Sequence, residues 1–131
     1  MTENEISKRI VEAALEVHRE LGPGLLESVY EHCLVLELRR MGLRCDQQVG
    51  LPVRYKGEQL DFGFRMDIIV EDQVVVEVKA SEGLNEVHFA QVLTYLKLSG
   101  CKLGLLINFN EALVKRGFRR VVNGLDDSLD A

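Results

Sequence analysis

Three charged residues stand in two hydrophobic segments of the chain, where burial disfavours charge. Asp67 lies in one apolar run, and Glu77 and Lys79 flank Val78 in the next. Residues two apart on a strand project from the same face, so Glu77 and Lys79 share a face that Val78 does not. Carboxylates and a lysine on one rigid surface could bind a divalent cation and act on a phosphate ester.

The polar triplet Glu71-Asp72-Gln73 separates the two runs and is typical of a turn. A three-residue loop there pairs Val70 with Val74, and counting outward along both strands sets Asp67 directly opposite Glu77. Opposed residues of an antiparallel pair have Cβ atoms about 5 Å apart, and like charges at that distance are destabilising. We therefore expect the two carboxylates to need a proton or a cation.

Hard oxygen ligands on a rigid hairpin suit Mg²⁺ or Mn²⁺, which keep water molecules that a phosphate can replace. Lys79 would lie where it can orient an attacking water or offset charge that develops on the phosphate. The alternative is a solvated face with an ordinary Lys–Glu pair, because an E-x-K triplet is common in exposed strands. The D-x9-E-x-K spacing on a hairpin is more specific, and it favours the cation site.

A second group of candidates precedes the strands. Gly24, Glu27 and Tyr30 follow one another at intervals of three, which predicts one shared helical face with close backbone approach at the glycine. Glu27 could add a third acid to the site. The alternative is an N-terminal helix charge that the macrodipole favours.

Polar side chains on a later helix, and one arginine, complete the local candidates. Gln91 and Tyr95 share a helical face, the alternatives being a solvated glutamine and a core tyrosine. Arg65 shares the face of Asp67 and could contact a phosphate, although pairing with Glu77 or Asp61 is an equal alternative.

One local cluster of positive charge could attract a phosphate backbone. It comprises Lys115, Arg116, Arg119 and Arg120. The alternative is that these side chains are simply solvated.

The elements that must position these residues can be read from the hydrophobic periodicity. Helices are predicted over residues 6–21, 25–41 and 84–98, and strands over 49–55, 60–70, 74–78, 103–109 and 118–122. The order predicts an α/β fold with two N-terminal helices, a β-meander, a crossover helix and a further strand in a mixed sheet flanked by helices.

Composition narrows the class of protein. A length of 131 residues predicts one domain over 1–131, with a frayed acidic tail from residue 126. The net charge of −5 counts against a protein that binds nucleic acid mainly by bulk positive charge. Three cysteines without a CxxC pair, no leader segment and no run of about 20 apolar residues favour a cytoplasmic protein without a membrane span.

The site residues carry a family resemblance. Asp67 with Glu77-Val78-Lys79 resembles the signature of the PD-(D/E)XK nuclease superfamily, and Gly24 to Tyr30 is similar to the motif of the GxxExxY protein family. The resemblance implies a restriction-endonuclease-like fold in which Asp67 and Glu77 are metal ligands and Lys79 is the catalytic lysine.

The same resemblance assigns three further residues. A helical acid of the RecB-like branch corresponds to Glu27, and its Gln-x3-Tyr corresponds to Gln91 and Tyr95, with Gln91 orienting Lys79 or a phosphate. The expected function is Mg²⁺- or Mn²⁺-dependent hydrolysis of DNA or RNA, with a homodimer or a helper protein as partner. The alternative is a non-catalytic interaction module that keeps the fold.

Overall fold

The structure, a computed structural model, describes residues 1–126, and these form a five-stranded sheet with helices on both faces. In chain order the elements are α1 (Glu3–Leu21), α2 (Glu27–Arg40), β1 (Cys45–Tyr55), β2 (Glu58–Val70), β3 (Val74–Lys79), α3 (Glu86–Ser99), β4 (Leu103–Asn108), a 3₁₀ turn (Val114–Gly117) and β5 (Phe118–Val122). The predicted α/β class is confirmed.

The strands lie side by side in their sequence order. β1, β2 and β3 form the predicted antiparallel meander, β4 runs parallel to β3 after the α3 crossover, and β5 is antiparallel to β4 at the edge. The central strand β3 is almost wholly buried, as its run of valines predicts. The mixed sheet expected of a restriction-endonuclease-like fold is therefore present.

Two apolar cores lie on opposite faces of the sheet. The first core holds α1 and α2, and the second holds α3. Thr2 begins α1 by accepting the N–H of Glu5 at 3.1 Å. Gly104 lies directly beneath α3, where a Cβ would stand 2.6 Å from Cγ1 of Val92, so only glycine allows this helix to pack so closely on β4.

The β1–β2 hairpin rotates part-way along its length. Ile68 packs in the first core, whereas Met66, two residues earlier on the same strand, packs in the second. Residues two apart on a regular strand share a face, so the strand turns over at Asp67. Beside it on β1, Gln48 has a φ of 51°, a left-handed conformation that non-glycine residues rarely adopt. The outer half of the hairpin therefore faces α3.

Some boundaries differ from the sequence prediction. α2 begins at Glu27 rather than residue 25, and β1 begins at Cys45 rather than residue 49.

No helix within residues 1–126 combines the length and apolar character needed to cross a bilayer. Most of the predicted acidic tail lies outside the described residues, and a single domain over 1–131 stays a prediction.

Candidate active site

Asp67 and Glu77 meet at the end of the β2–β3 ladder. The predicted turn is present, and three pairs from Val70–Val74 outward have the predicted register. Beyond these pairs, side-chain oxygens replace main-chain carbonyls as hydrogen-bond acceptors between the strands. The main-chain N–H of Asp67 donates to Oε2 of Glu77 at 2.9 Å, and the N–H of Val78 donates to Oδ2 of Asp67 at 2.9 Å. Each carboxyl group therefore binds the opposite strand.

Glu77 is a buried acid, with 2% of its surface exposed. Burial, followed by the hydrogen bond and the charge of Asp67, raises the pKa of Glu77 to about 9. At neutral pH the metal-free protein therefore keeps a proton on Glu77, and the protonated carboxyl group can donate a hydrogen bond to Asp67. This proton is one of the two solutions that the opposed carboxylates were expected to need.

The ammonium group of Lys79 is held by α3. Its Nζ donates to Oε1 of Gln91 at 3.1 Å, and Nε2 of Gln91 donates to the hydroxyl of Tyr95 at 3.1 Å. Burial, followed by the charge that Glu77 carries when it is ionised, raises the pKa of Tyr95. The contacts orient Lys79 on the face of β3 that also carries Glu77.

Glu27 reaches the end of β3 from α2. Its Oε1 accepts the N–H of Ala80 at 3.3 Å, one residue beyond Lys79. Glu27 also lines one cleft of about 640 Å³ together with Asp67. The structure thus brings Glu27 to the same end of the sheet, although through the helical layer opposite to α3.

The loop before Glu27 corrects one expectation. Gly24 is not on the helix, and a Cβ there would meet no atom within 4 Å, so close approach is not its role. Its φ of 98° makes glycine the suitable residue. The hydroxyl of Tyr30 donates to the carbonyl of Gly22 and accepts the N–H of Leu25 at 3.1 Å, which clamps the loop. The hydrogen bonds of Tyr30 therefore position Glu27 by fixing the loop that precedes it.

Sequence reasoning missed a buried acid beside the site. Glu31, 8% exposed, accepts the Nε2 groups of Gln47 and Gln48, each at 3.0 Å. Nε2 of Gln48 also lies 3.4 Å from Oδ1 of Asp67. The available signal was the position of Glu31 one helical turn after Glu27. Two adjacent glutamines make the first part of β1 polar, so the sequence did not indicate a strand there.

The predicted phosphate contacts lie in two places. Arg65 is exposed, donates to the carbonyl of Gln48 at 3.5 Å, and forms no ion pair with a carboxylate of residues 1–126. Lys115, Arg116, Arg119 and Arg120 lie on the 3₁₀ turn and β5, two strands away from β3.

The two arginines that this cluster contributes to β5 make hydrogen bonds with other parts of the chain. Arg119 donates to the carbonyls of Arg116 and Phe118 at 2.9 and 2.7 Å, and Arg120 donates to the side chain of Asn4 on α1. The structure does not bring the cluster to Asp67.

The acids of the site are the possible ligands of a divalent cation. Within residues 1–126, no three His, Cys, Asp or Glu side chains converge as metal ligands. Mg²⁺, however, is commonly bound by one or two carboxylates with water completing the shell. Asp67 lines the cleft, and the buried carboxyl group of Glu77 lies behind it, with Oε2 at 2.9 Å from the main-chain N–H of Asp67. Once Glu77 has lost its proton, this pair of carboxyl groups would suit a hydrated cation.

A family model decides the relationship that this geometry suggests. The model of the PD-(D/E)XK nuclease superfamily matches residues 4–121. The chain belongs to this superfamily. PD-(D/E)XK nucleases generally use divalent metal ions and act on nucleic acid, which supports a nuclease-type function here. The finer similarity to the GxxExxY family stays a prediction.

The fold of the chain is shared with a solved structure. The chain is similar to a structure described as "Crystal structure of SSO0001", with a TM-score of 0.57 and 19% identity. The match covers 78% of this chain and 52% of the other, so this chain spans about half of that protein's length. At this identity the likeness concerns the fold alone. No curated protein sequence matches the chain.

Proposed function

We propose that the protein hydrolyses phosphodiester bonds of DNA or RNA with Mg²⁺ or Mn²⁺ as cofactor. The observation that carries this proposal is the contact of Asp67 with Glu77, two residues before a lysine whose ammonium is held by Gln91. The ordinary alternative, a solvated Lys–Glu pair, requires exposed side chains, and Glu77 is 2% exposed.

Each residue has a distinct role in the proposal. Asp67 and Glu77 would hold the cation, which supplies a Lewis acid for the phosphate and a more acidic bound water. Glu77 must first lose the proton that its raised pKa favours. Lys79 orients the attacking water and offsets charge on the phosphate, and Gln91 fixes its ammonium. Glu27, at the end of β3, serves as an outer acid.

The proposed substrate contacts lie at two places, one beside the carboxylates and one on β5. Arg65 and Tyr95 lie beside the carboxylates and Lys79, where a phosphate and its sugar would pass. Arg116, Arg119 and Arg120 would contact only a strand that continues across the sheet to β5. A homodimer or a helper protein would enlarge the binding surface, and a cytoplasmic location stays a prediction.

The test is cleavage of labelled DNA and RNA strands with Mg²⁺, with Mn²⁺ and with EDTA. We expect metal-dependent cleavage by the wild type and its loss in Lys79→Ala and Glu77→Gln, while Glu82→Gln, an exposed acid, keeps it. Cleavage that survives in Lys79→Ala, or no cleavage of any strand by folded protein with either metal, would overturn the proposal. The interaction module would then be the leading function.

A further inference from the structure

Three aromatic rings form a row beside the candidate site. The ring centroids of Phe62 and Phe64 lie 6.4 Å apart, and those of Phe64 and Tyr95 lie 6.5 Å apart. Tyr95 is 5% exposed, but Phe64 is 38% and Phe62 is 62% exposed. Exposure therefore increases along this aromatic row (Phe62, Phe64, Tyr95) away from the core.

Phe62 and Phe64 lie on a part of the hairpin that the rest of the sheet does not cover, and Tyr95 contacts Phe64 from α3. The β2–β3 ladder begins at Ile68, so the outer half of the hairpin extends past β3. The rotation of β2 at Asp67 turns this half toward α3, where Val87 is 75% exposed. Large apolar side chains grouped on a surface mark a binding site more often than single ones do.

The aromatic row is continuous with the proposed chemistry. Phe64, Gln91 and Tyr95 line one shallow groove of about 300 Å³, whose other walls are Val87, Ala90 and Thr94. Gln91 in this groove holds Lys79, and Tyr95 holds Gln91. A flat group that contacts Phe62 and Phe64 would therefore bring its attached phosphate toward Lys79.

We infer that the aromatic row binds unpaired nucleobases, so that the substrate class is single-stranded nucleic acid. This inference rests on the proposed nuclease function and narrows it. Bases of a duplex are stacked on one another and cannot present their faces to Phe62, whereas bases of a single strand can. Exposed Arg65, next to Phe64 in the chain, is available for the backbone.

Charge supports the same substrate class. Affinity for a duplex comes mainly from lysines and arginines that neutralise phosphates, and this chain has a net charge of −5. Stacking on aromatic side chains supplies affinity without a large positive surface. β1 and β2 carry two exposed basic residues, Arg54 and Arg65. So few positive charges suit a nucleic-acid strand that is held largely by its bases.

The experiment measures binding without catalysis. Fluorescence anisotropy in EDTA would compare a short labelled single DNA strand, the same sequence as RNA, and the DNA duplex. We expect either single strand to bind about tenfold more tightly than the duplex. Phe62→Leu, which keeps an apolar side chain but loses the ring, should weaken single-strand binding by about tenfold. Phe62→Tyr should keep it, as should the control Leu36→Ala on exposed α2 surface.

The outcomes separate this inference from the proposed function. Equal affinity for strand and duplex, or unchanged binding by Phe62→Leu, would overturn the single-strand inference even if the protein cleaves duplex. Binding through Phe62 without cleavage in metal would keep the inference and overturn the nuclease proposal. Light scattering that detects a dimer in the wild type but not in Phe62→Leu would assign the aromatic row to a second copy and also overturn the inference.

Discussion

The backbone N–H of Asp67 is bound by the side chain of Glu77, at 2.9 Å from Oε2. An oxygen of a side-chain carboxyl group thus occupies the place of a main-chain acceptor at the end of a sheet ladder. Because the same carboxyl group is buried and faces the acid of Asp67, it holds a proton in the metal-free protein. In the proposed function, a cation that enters the site must displace this proton, so folding, metal binding and catalysis would depend on one group.

The first prediction concerns stability and pH without metal. The pKa of Glu77 is about 9 in the folded protein, against an ordinary value of 4.5. Between these values the folded state binds more protons than the unfolded state, so the free energy of unfolding falls as pH rises. The contribution is complete below about pH 4.5 and lost above about pH 9. Thermal melts across this range should decline for the wild type and much less for Glu77→Gln.

The control for that prediction is Glu82→Gln, which changes an exposed acid. It should follow the wild-type decline. A Glu77→Gln protein whose melting temperature falls with pH as steeply as the wild type would contradict the protonated Glu77.

The second prediction concerns metal binding. A cation that binds only the folded state stabilises it by about 2.7 kcal/mol at a hundredfold excess over Kd. Mn²⁺ should therefore raise the melting temperature of the wild type and of Lys79→Ala, but raise that of Asp67→Asn and Glu77→Gln little. Because Glu77 must release its proton, Mn²⁺ affinity should increase by up to about tenfold per pH unit below its raised pKa.

Calorimetric titration in buffers of different ionisation enthalpy would measure the released proton directly. Equal Mn²⁺-induced shifts in the wild type and both carboxylate variants would exclude this metal site, whatever the protein does with nucleic acid.

The third prediction concerns the support of Lys79 by α3. Gln91→Leu removes the oxygen that lies 3.1 Å from Nζ, so the ammonium loses its fixed orientation. We expect kcat to fall about tenfold or more, because small displacements of a positioned group are costly. The Mn²⁺-induced thermal shift should stay at the wild-type value. Gln59→Leu, at an exposed position of β2, is the matched control and should change neither quantity.

The fourth prediction concerns the loop that places Glu27. Tyr30→Phe removes the hydroxyl that joins the Gly22 carbonyl to the N–H of Leu25, but keeps the ring that stacks on Phe109 at 4.6 Å. We expect a loss of about 1–3 kcal/mol in the free energy of unfolding, measured by urea denaturation. Tyr55→Phe, at an exposed tyrosine, should cost less than about 0.5 kcal/mol. Equal effects of the two substitutions would refute the clamp.

The sequence alone determined the hairpin and the contact of its two acids. The three-residue turn at Glu71 predicts one register, and the ladder follows it for three pairs from Val70–Val74. One step further, the side chain of Glu77 accepts the main-chain N–H of Asp67. The crossover order of helix and strands followed from periodicity in the same way, because each element is defined by neighbours in the chain. The pairing of Gln91 with Lys79 came from the family resemblance, and the structure places the two groups 3.1 Å apart.

Only the tertiary structure decided how distant segments share the site. A glutamate on a helix is normally expected at the surface, yet Glu31 is buried beside Asp67 by two glutamine amides of β1. Likewise, the rotation of the hairpin that exposes Phe62 depends on which core each side chain joins. Local patterns report which faces are apolar, but burial of a polar group depends on partners tens of residues away, whose hydrogen bonds offset the cost of removing it from water.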